Sequence, residues 1–160
     1  MELFRGSTVE VVRPEILAPV RTLDFGAGFY TTSSVEQAER WARLQKRRRG
    51  ANGAVISIYG FDVEAAIGNL ATLEFKEPDG DWLDFVVSHR KGLAAADLYD
   101  LVVGPVADDD TMTVINDYMD GRYTKAEAVT RLLPQRLVDQ YAFLSEAALS
   151  FLGYEGARTL

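Results

Sequence analysis

Two short stretches hold the residues best suited to chemistry. The first is "FRGS", Phe4–Ser7, which sets a guanidinium, a bare backbone and a hydroxyl side by side. The second is "LDFGAGFYTTSSVEQAERW", Leu23–Trp41. It carries Gly26 and Gly28, then Tyr30, then Thr31, Thr32, Ser33 and Ser34, and reaches Trp41 eleven positions after the tyrosine. Two aromatic rings brought together clamp a flat ring, with stacking worth roughly 0.5–1.5 kcal/mol beyond burial. From composition alone, the same two aromatics are also ordinary core residues. Arg5 suits a phosphate, because a guanidinium forks onto paired oxygens.

A two-glycine loop ahead of a helix also raises a phosphate cradle. A dinucleotide loop needs Gly-x-Gly-x-x-Gly between a strand and a helix. Gly26 and Gly28 fit, but Thr31 stands in the third position. The helix also begins too late, after a strand. No Gly-Lys-Ser/Thr ending marks a P-loop, so the glycines read as a turn into a strand.

Composition removes several other chemistries. The chain of 160 residues has no cysteine and one histidine, His89. Disulfides, cysteine-based metal sites and histidine clusters within one chain are excluded, and a Ser-His-Asp triad would have to use His89. His89 lies on the apolar side of its helix and reads as a core or boundary residue. The run "ADDD", ending in Asp108, Asp109 and Asp110, is explained by the helix macrodipole, so no metal is expected.

The net charge of −7 opposes non-specific nucleic-acid binding. The exception is the basic run Arg43, Lys46, Arg47, Arg48 and Arg49. It reads as a solvated helix end, where cations are favoured, or as a patch that steers an anionic substrate. The N-terminus lacks the pattern of a signal peptide, and nothing approaches the ~20 apolar residues of a membrane span. A soluble, cytoplasmic protein without a membrane partner is the expectation.

The elements that must position these residues follow from periodicity and caps. A strand is expected at Glu2–Arg5, ending at Gly6. "STVEVVRPEIL" reads as extended chain interrupted by Pro14. "FYTT" reads as a strand. Ser33 or Ser34 caps a helix that stops at Gly50, with Glu36 and Gln37 at capping-box spacing. Strands are expected at Ala54–Phe61, "LATLEF", Tyr99–Val106 and Asp139–Leu144. Helices are expected at "DVEAAIGN", "DGDWLDFVVSHRKG", Asp108 to Tyr118, and after the Thr124 cap. A terminal helix is expected over "SEAALSFLGY" from Ser145. The strands are short and irregularly interleaved with helices, which predicts an α+β fold. One domain over residues 1–160 is expected, with a mixed, mostly antiparallel or split sheet.

Taken together, "FRGS" and the Tyr30–Trp41 segment resemble the ADP-ribosyltransferase superfamily, in its poly(ADP-ribose) polymerase-like and diphtheria-toxin-like branch. That branch has a strand ending in His-Gly-Ser, then a Gly-x-Gly-Ile/Phe-Tyr strand, then a helix with an aromatic eleven residues after the tyrosine. The chain also looks like a bacterial domain-of-unknown-function family assigned to that superfamily. "FRGS", "LDFGAGFYTT", "AERWA", "DWLDFVVSHR", "YDLVVGPVADD" and "DQYAF" carry this likeness over nearly the whole chain.

The resemblance implies an ADP-ribosyltransferase-like fold that uses NAD as substrate. Gly6 would meet the nicotinamide carboxamide through its backbone, with Ser7 beside it. A glycine permits that close approach. Tyr30 and Trp41 would sandwich the ring, and Thr32 would lie near the site. Ala38 stands where the branch commonly has a serine. Arg5 replaces the histidine, as in the cholera-toxin-like branch, where arginine holds NAD phosphate or ribose. Gln140 replaces a glutamate on the late strand, and supplies no negative charge to an oxocarbenium-like transition state. Asp139, Asp84 and Asp24 are the candidate substitutes. The expected activity is transfer of ADP-ribose to a protein or nucleic-acid acceptor, in the setting of a toxin paired with an antitoxin. The alternatives are an NAD glycohydrolase and an inactive module that binds NAD, ADP-ribose or a partner.

Overall fold

The computed structural model describes residues 1–16, 23–94 and 98–160. The elements in chain order are β1 (Glu2–Ser7), β2 (Phe29–Thr31), α1 (Val35–Arg49), β3 (Val55–Phe61), α2 (Val63–Asn69), β4 (Thr72–Glu74) and α3 (Gly80–Arg90). They continue with β5 (Leu101–Pro105), α4 (Asp109–Met119), α5 (Lys125–Leu132), β6 (Asp139–Phe143), α6 (Glu146–Leu149) and β7 (Leu152–Thr159).

Local chemistry sets the helix ends. Ser34, not Ser33, caps α1, its Oγ accepting from the Gln37 N–H at 3.1 Å. Gly50 closes the same helix in the left-handed region, at φ 59°. Asp79, Asp108 and Thr124 cap α3, α4 and α5 in the same way. Each side-chain oxygen satisfies a backbone donor that the first turn leaves without a partner.

The strands form a three-stranded sheet, β1-β3-β7, and a four-stranded sheet, β2-β6-β5-β4. Only β4 and β5 run parallel; the other ladders are antiparallel. The fold is therefore α+β with a split, mostly antiparallel sheet, as expected. Among the described residues a single bridge, Phe4 to Thr32, joins β1 to β2 where the two sheets meet.

Side chains alternate across a strand, so register assigns the faces. Phe29, Phe143 and Leu101 share one face of the four-stranded sheet. They pack with Leu3, Tyr59 and Phe61 of the other sheet in a first core cluster. Tyr30, Ala142 and Val102 share the opposite face, against Trp82, Ile115 and Leu132 of α3, α4 and α5. Helix α1 covers the Gly6 face of β1 with its buried Ala38 and Ala42.

One expectation changes. The terminal helix is a single short turn, α6, and the chain then runs as β7 along the whole of β3. Gly153 and Gly156 are poor helix formers, and the open edge of β3 offers ladder partners to the whole segment. The stretch after Ser7 forms no strand through Ile16. Instead Tyr59 Oη donates to Val11 O at 2.6 Å, and Val11 N donates to Ser57 Oγ at 3.0 Å. The last residue of that stretch, at position 17, lies outside the described residues.

Candidate functional site

The residues singled out in the sequence gather where β1 and β2 part. Phe4 N donates to Thr32 O at 2.8 Å and Thr32 N donates to Phe4 O at 3.0 Å. Beyond this bridge the ladder stops. Backbone groups alternate sides along an antiparallel strand, so the N–H and C=O of Gly6 turn from β3 into the opening, as those of Tyr30 turn from β6. Arg5 fills part of the opening: its Nη1 donates to Tyr30 O at 2.8 Å.

Arg5 thus sits differently from a free phosphate ligand. Its guanidinium carbon lies 4.4 Å from the centre of the Phe29 ring. Burial pulls its pKa below the usual arginine value, though arginine stays charged at any ordinary pH. Its Nε is buried with no hydrogen-bond partner among the described residues. Ser7 follows the same strand face as Arg5. It is buried, and its Oγ receives only a long bond from Val9 N, at 3.5 Å.

Gly6 is required for a reason other than ligand approach. A Cβ there would lie 1.8 Å from Ala38 O and 2.7 Å from Ala42 N. The glycine lets α1 lie directly on β1, and Ala38 and Ala42 belong to that contact. Gln45 Nε2 donates to Gly6 O at 3.3 Å, a long bond. Gln37, Trp41 and Gln45 are spaced four apart and so form one helix stripe. Since Gln45 reaches Gly6 O, that stripe overlooks the opening. Trp41 is half-buried.

Tyr30 flanks the opening from β2. Its hydroxyl donates to Gly26 O at 2.6 Å and accepts from Phe25 N at 3.1 Å. Burial pushes its pKa well above the ordinary tyrosine value. Gly26 makes that turn with φ 96°, and a Cβ at Gly28 would lie 2.7 Å from Phe143 O. Among the described residues, neither Tyr30 nor Trp41 stacks on the other or on another aromatic ring.

Gln140 shares the Tyr30 face but is 3% exposed. Its Nε2 donates to Asp24 Oδ2 at 3.3 Å and to Pro105 O at 3.4 Å. Asp24, itself buried, also accepts from Arg90 Nε at 2.9 Å, from Arg90 Nη2, and from Ala107 N at 3.3 Å. A carboxylate at position 140 would face Asp24 in a poorly solvated place, whereas the glutamine amide donates to it. Arg90 and Gln45 carried no sequence signal as site residues.

The other candidate carboxylates have partners as well. Asp139 Oδ1 accepts from Ser33 N at 2.9 Å and from Thr32 Oγ1 at 3.2 Å, while Oδ2 accepts from Ser33 Oγ. Asp84 is exposed and paired to Lys125 at 2.6 Å. His89 Nδ1 donates to Phe85 O at 2.8 Å, and its ring packs 4.3 Å from Phe85, which makes it a boundary residue. In the basic run, Arg43 pairs with Glu39 at 2.8 Å, and Lys46, Arg47, Arg48 and Arg49 occupy the last turn of α1.

Among the described residues, no group of three or more histidines, aspartates or glutamates is placed to hold a metal ion. No helix there is long and apolar enough to cross a membrane. One family model, described as "Protein of unknown function (DUF3990)", matches residues 1–154. The chain has no match among curated proteins and none among solved structures.

Proposed function

The chain belongs to the DUF3990 family, and for it we propose an NAD-dependent ADP-ribosyltransferase whose site is the opening between β1 and β2. The observation that supports this most is the Gly6 backbone. Its N–H faces the opening without a protein partner among the described residues, and its carbonyl holds only the long bond from Gln45. A carboxamide offers a matching donor and acceptor. Tyr30 flanks the opening from β2, and Trp41, one turn before Gln45 on α1, is the second aromatic suited to a flat ring.

In this reading Gly6 anchors the nicotinamide and Arg5 acts as a positioning residue, holding the Tyr30 backbone at the mouth. Thr32 and Ser7 shape the surroundings. The bond from nicotinamide to ribose breaks with oxocarbenium character, nicotinamide leaves, and ADP-ribose passes to a protein or nucleic-acid acceptor. A cytoplasmic toxin restrained by an antitoxin protein fits this activity by analogy alone.

One observation favours a second reading. The Gln140 amide is buried and spent on Asp24 and Pro105. The site then lacks a free carboxylate against the developing cation, a large electrostatic contribution where one exists. A module that binds NAD or ADP-ribose without transfer, or a slow NAD glycohydrolase, follows from that.

Incubation with NAD and assay of released nicotinamide tests the proposal. Release is expected from the wild type, falling about two- to tenfold in Trp41→Ala, which loses the stacking contact. Mass spectrometry of acceptors separates transfer, which leaves an adduct, from hydrolysis. Absence of release with quenching of Trp41 fluorescence by NAD favours the binding module. Neither release nor quenching removes the NAD site altogether.

A further inference from the structure

A cavity of about 1100 Å³ opens on the far side of the Phe25–Gly26 turn, touching none of Gly6, Tyr30, Trp41 or Gln140. Its floor is aromatic. Phe85 is the hub, with ring centres 5.8 Å from Phe25, 5.3 Å from Phe75, 4.3 Å from His89 and 6.3 Å from Tyr99. The carboxylates of Glu74, Glu77 and Asp81 stand exposed in the lining, with Lys76 its single lysine or arginine among the described residues. Two further carboxylates of the lining have partners: Asp79 caps α3 and Asp84 pairs with Lys125. Leu93 and Leu98, also in the lining, are 76% and 62% exposed.

We propose that this cavity docks a segment of a partner protein in which lysine or arginine alternates with large apolar side chains. Three observations select that chemistry. Aromatic faces attract cations as well as apolar groups. Among the described residues, the lining carboxylates without an ion-pair partner outnumber the cations of the lining, so a basic segment is complementary and a nucleic acid is repelled. The exposed leucines extend the apolar surface beyond the floor, as at protein interaction sites. The site is separate from the β1–β2 opening and stands whether or not that opening binds NAD.

The probe is a short fluorescein-labelled peptide alternating arginine with leucine and phenylalanine, followed by anisotropy against the full chain. A peptide with glutamate in place of arginine is the control. Binding of the basic peptide is expected to weaken about tenfold in the double variant Glu77→Lys, Asp81→Lys, since like charge at the contact disfavours docking. It is also expected to weaken in Leu93→Ser, Leu98→Ser. The double variant Glu2→Lys, Glu64→Lys changes the net charge equally, away from the cavity, and should bind as the wild type does. All these positions are exposed, and thermal melts confirm that the variants fold. The proposal is overturned by absence of binding, by equal binding of the acidic peptide, or by equal weakening in both charge-reversed variants.

Discussion

Tyr30 uses its hydroxyl twice, donating to Gly26 O and accepting from Phe25 N. The ring therefore fixes the glycine turn as well as flanking the opening. Tyr30→Phe keeps the ring but leaves both backbone groups without that partner, which costs about 1–3 kcal/mol in urea unfolding. The substitution also changes the alkaline limb. Burial raises the Tyr30 pKa in the folded state, so the unfolded chain, ionising near pH 10, gains anionic character first. The stabilising contribution is complete below about pH 10 and is lost as pH rises toward the folded-state value. Stability measured from pH 8 upward should therefore fall less steeply in Tyr30→Phe than in the wild type. An unchanged slope would mean that Tyr30 is not the buried phenol described above.

At the scale of elements, Asp139 clasps the end of β6 to the Thr32–Ser33 corner from which α1 departs. Together with the contact of Gly6 on Ala38, this fixes the direction of α1 and so the place of Trp41. Asp139→Ala should lower stability by about 1–3 kcal/mol, because charge-assisted bonds are lost together. Asp139→Asn retains an acceptor and should lose less. Denaturant titration of the pair measures this difference; equal losses would show that a neutral acceptor cannot serve there, and an Asp139→Asn variant as stable as the wild type would show that the negative charge adds nothing. The helices themselves were legible from local signals: Ser34, Asp79, Asp108 and Thr124 act within one turn, and Gly50 ends α1 where expected. The terminal segment departs from its local signal: its Ala-Ala-Leu start is helical, while its fate depends on β3, nearly a hundred residues earlier.

For the molecule as a whole, the two sheets share one core cluster and a second cluster joins the four-stranded sheet to three helices. The strand β7 covers the full length of β3, and Tyr154 meets Tyr59 at 6.1 Å. Removal of residues 152–160 would leave the β3 edge unpaired and open the first cluster. Circular dichroism should then record no cooperative melt, since a cluster shared between sheets is lost from both at once. A cooperative melt in the shortened chain would show that β7 is peripheral.

What the sequence determined by itself was local or compositional. It set the caps, the short strands, the α+β class and the absence of cysteine chemistry. Through the resemblance its motifs carry, it also marked Gly6, Tyr30, Trp41 and Gln140 as a group worth locating. The tertiary structure alone decided how they are used. Gly6 is a glycine because a helix carbonyl lies on it. Arg5 closes the parting strands, and Gln140 answers the carboxylate of Asp24, 116 residues away. Such facts depend on which strand faces which, and side-chain periodicity within a segment specifies its own two faces but not the partner that each one meets.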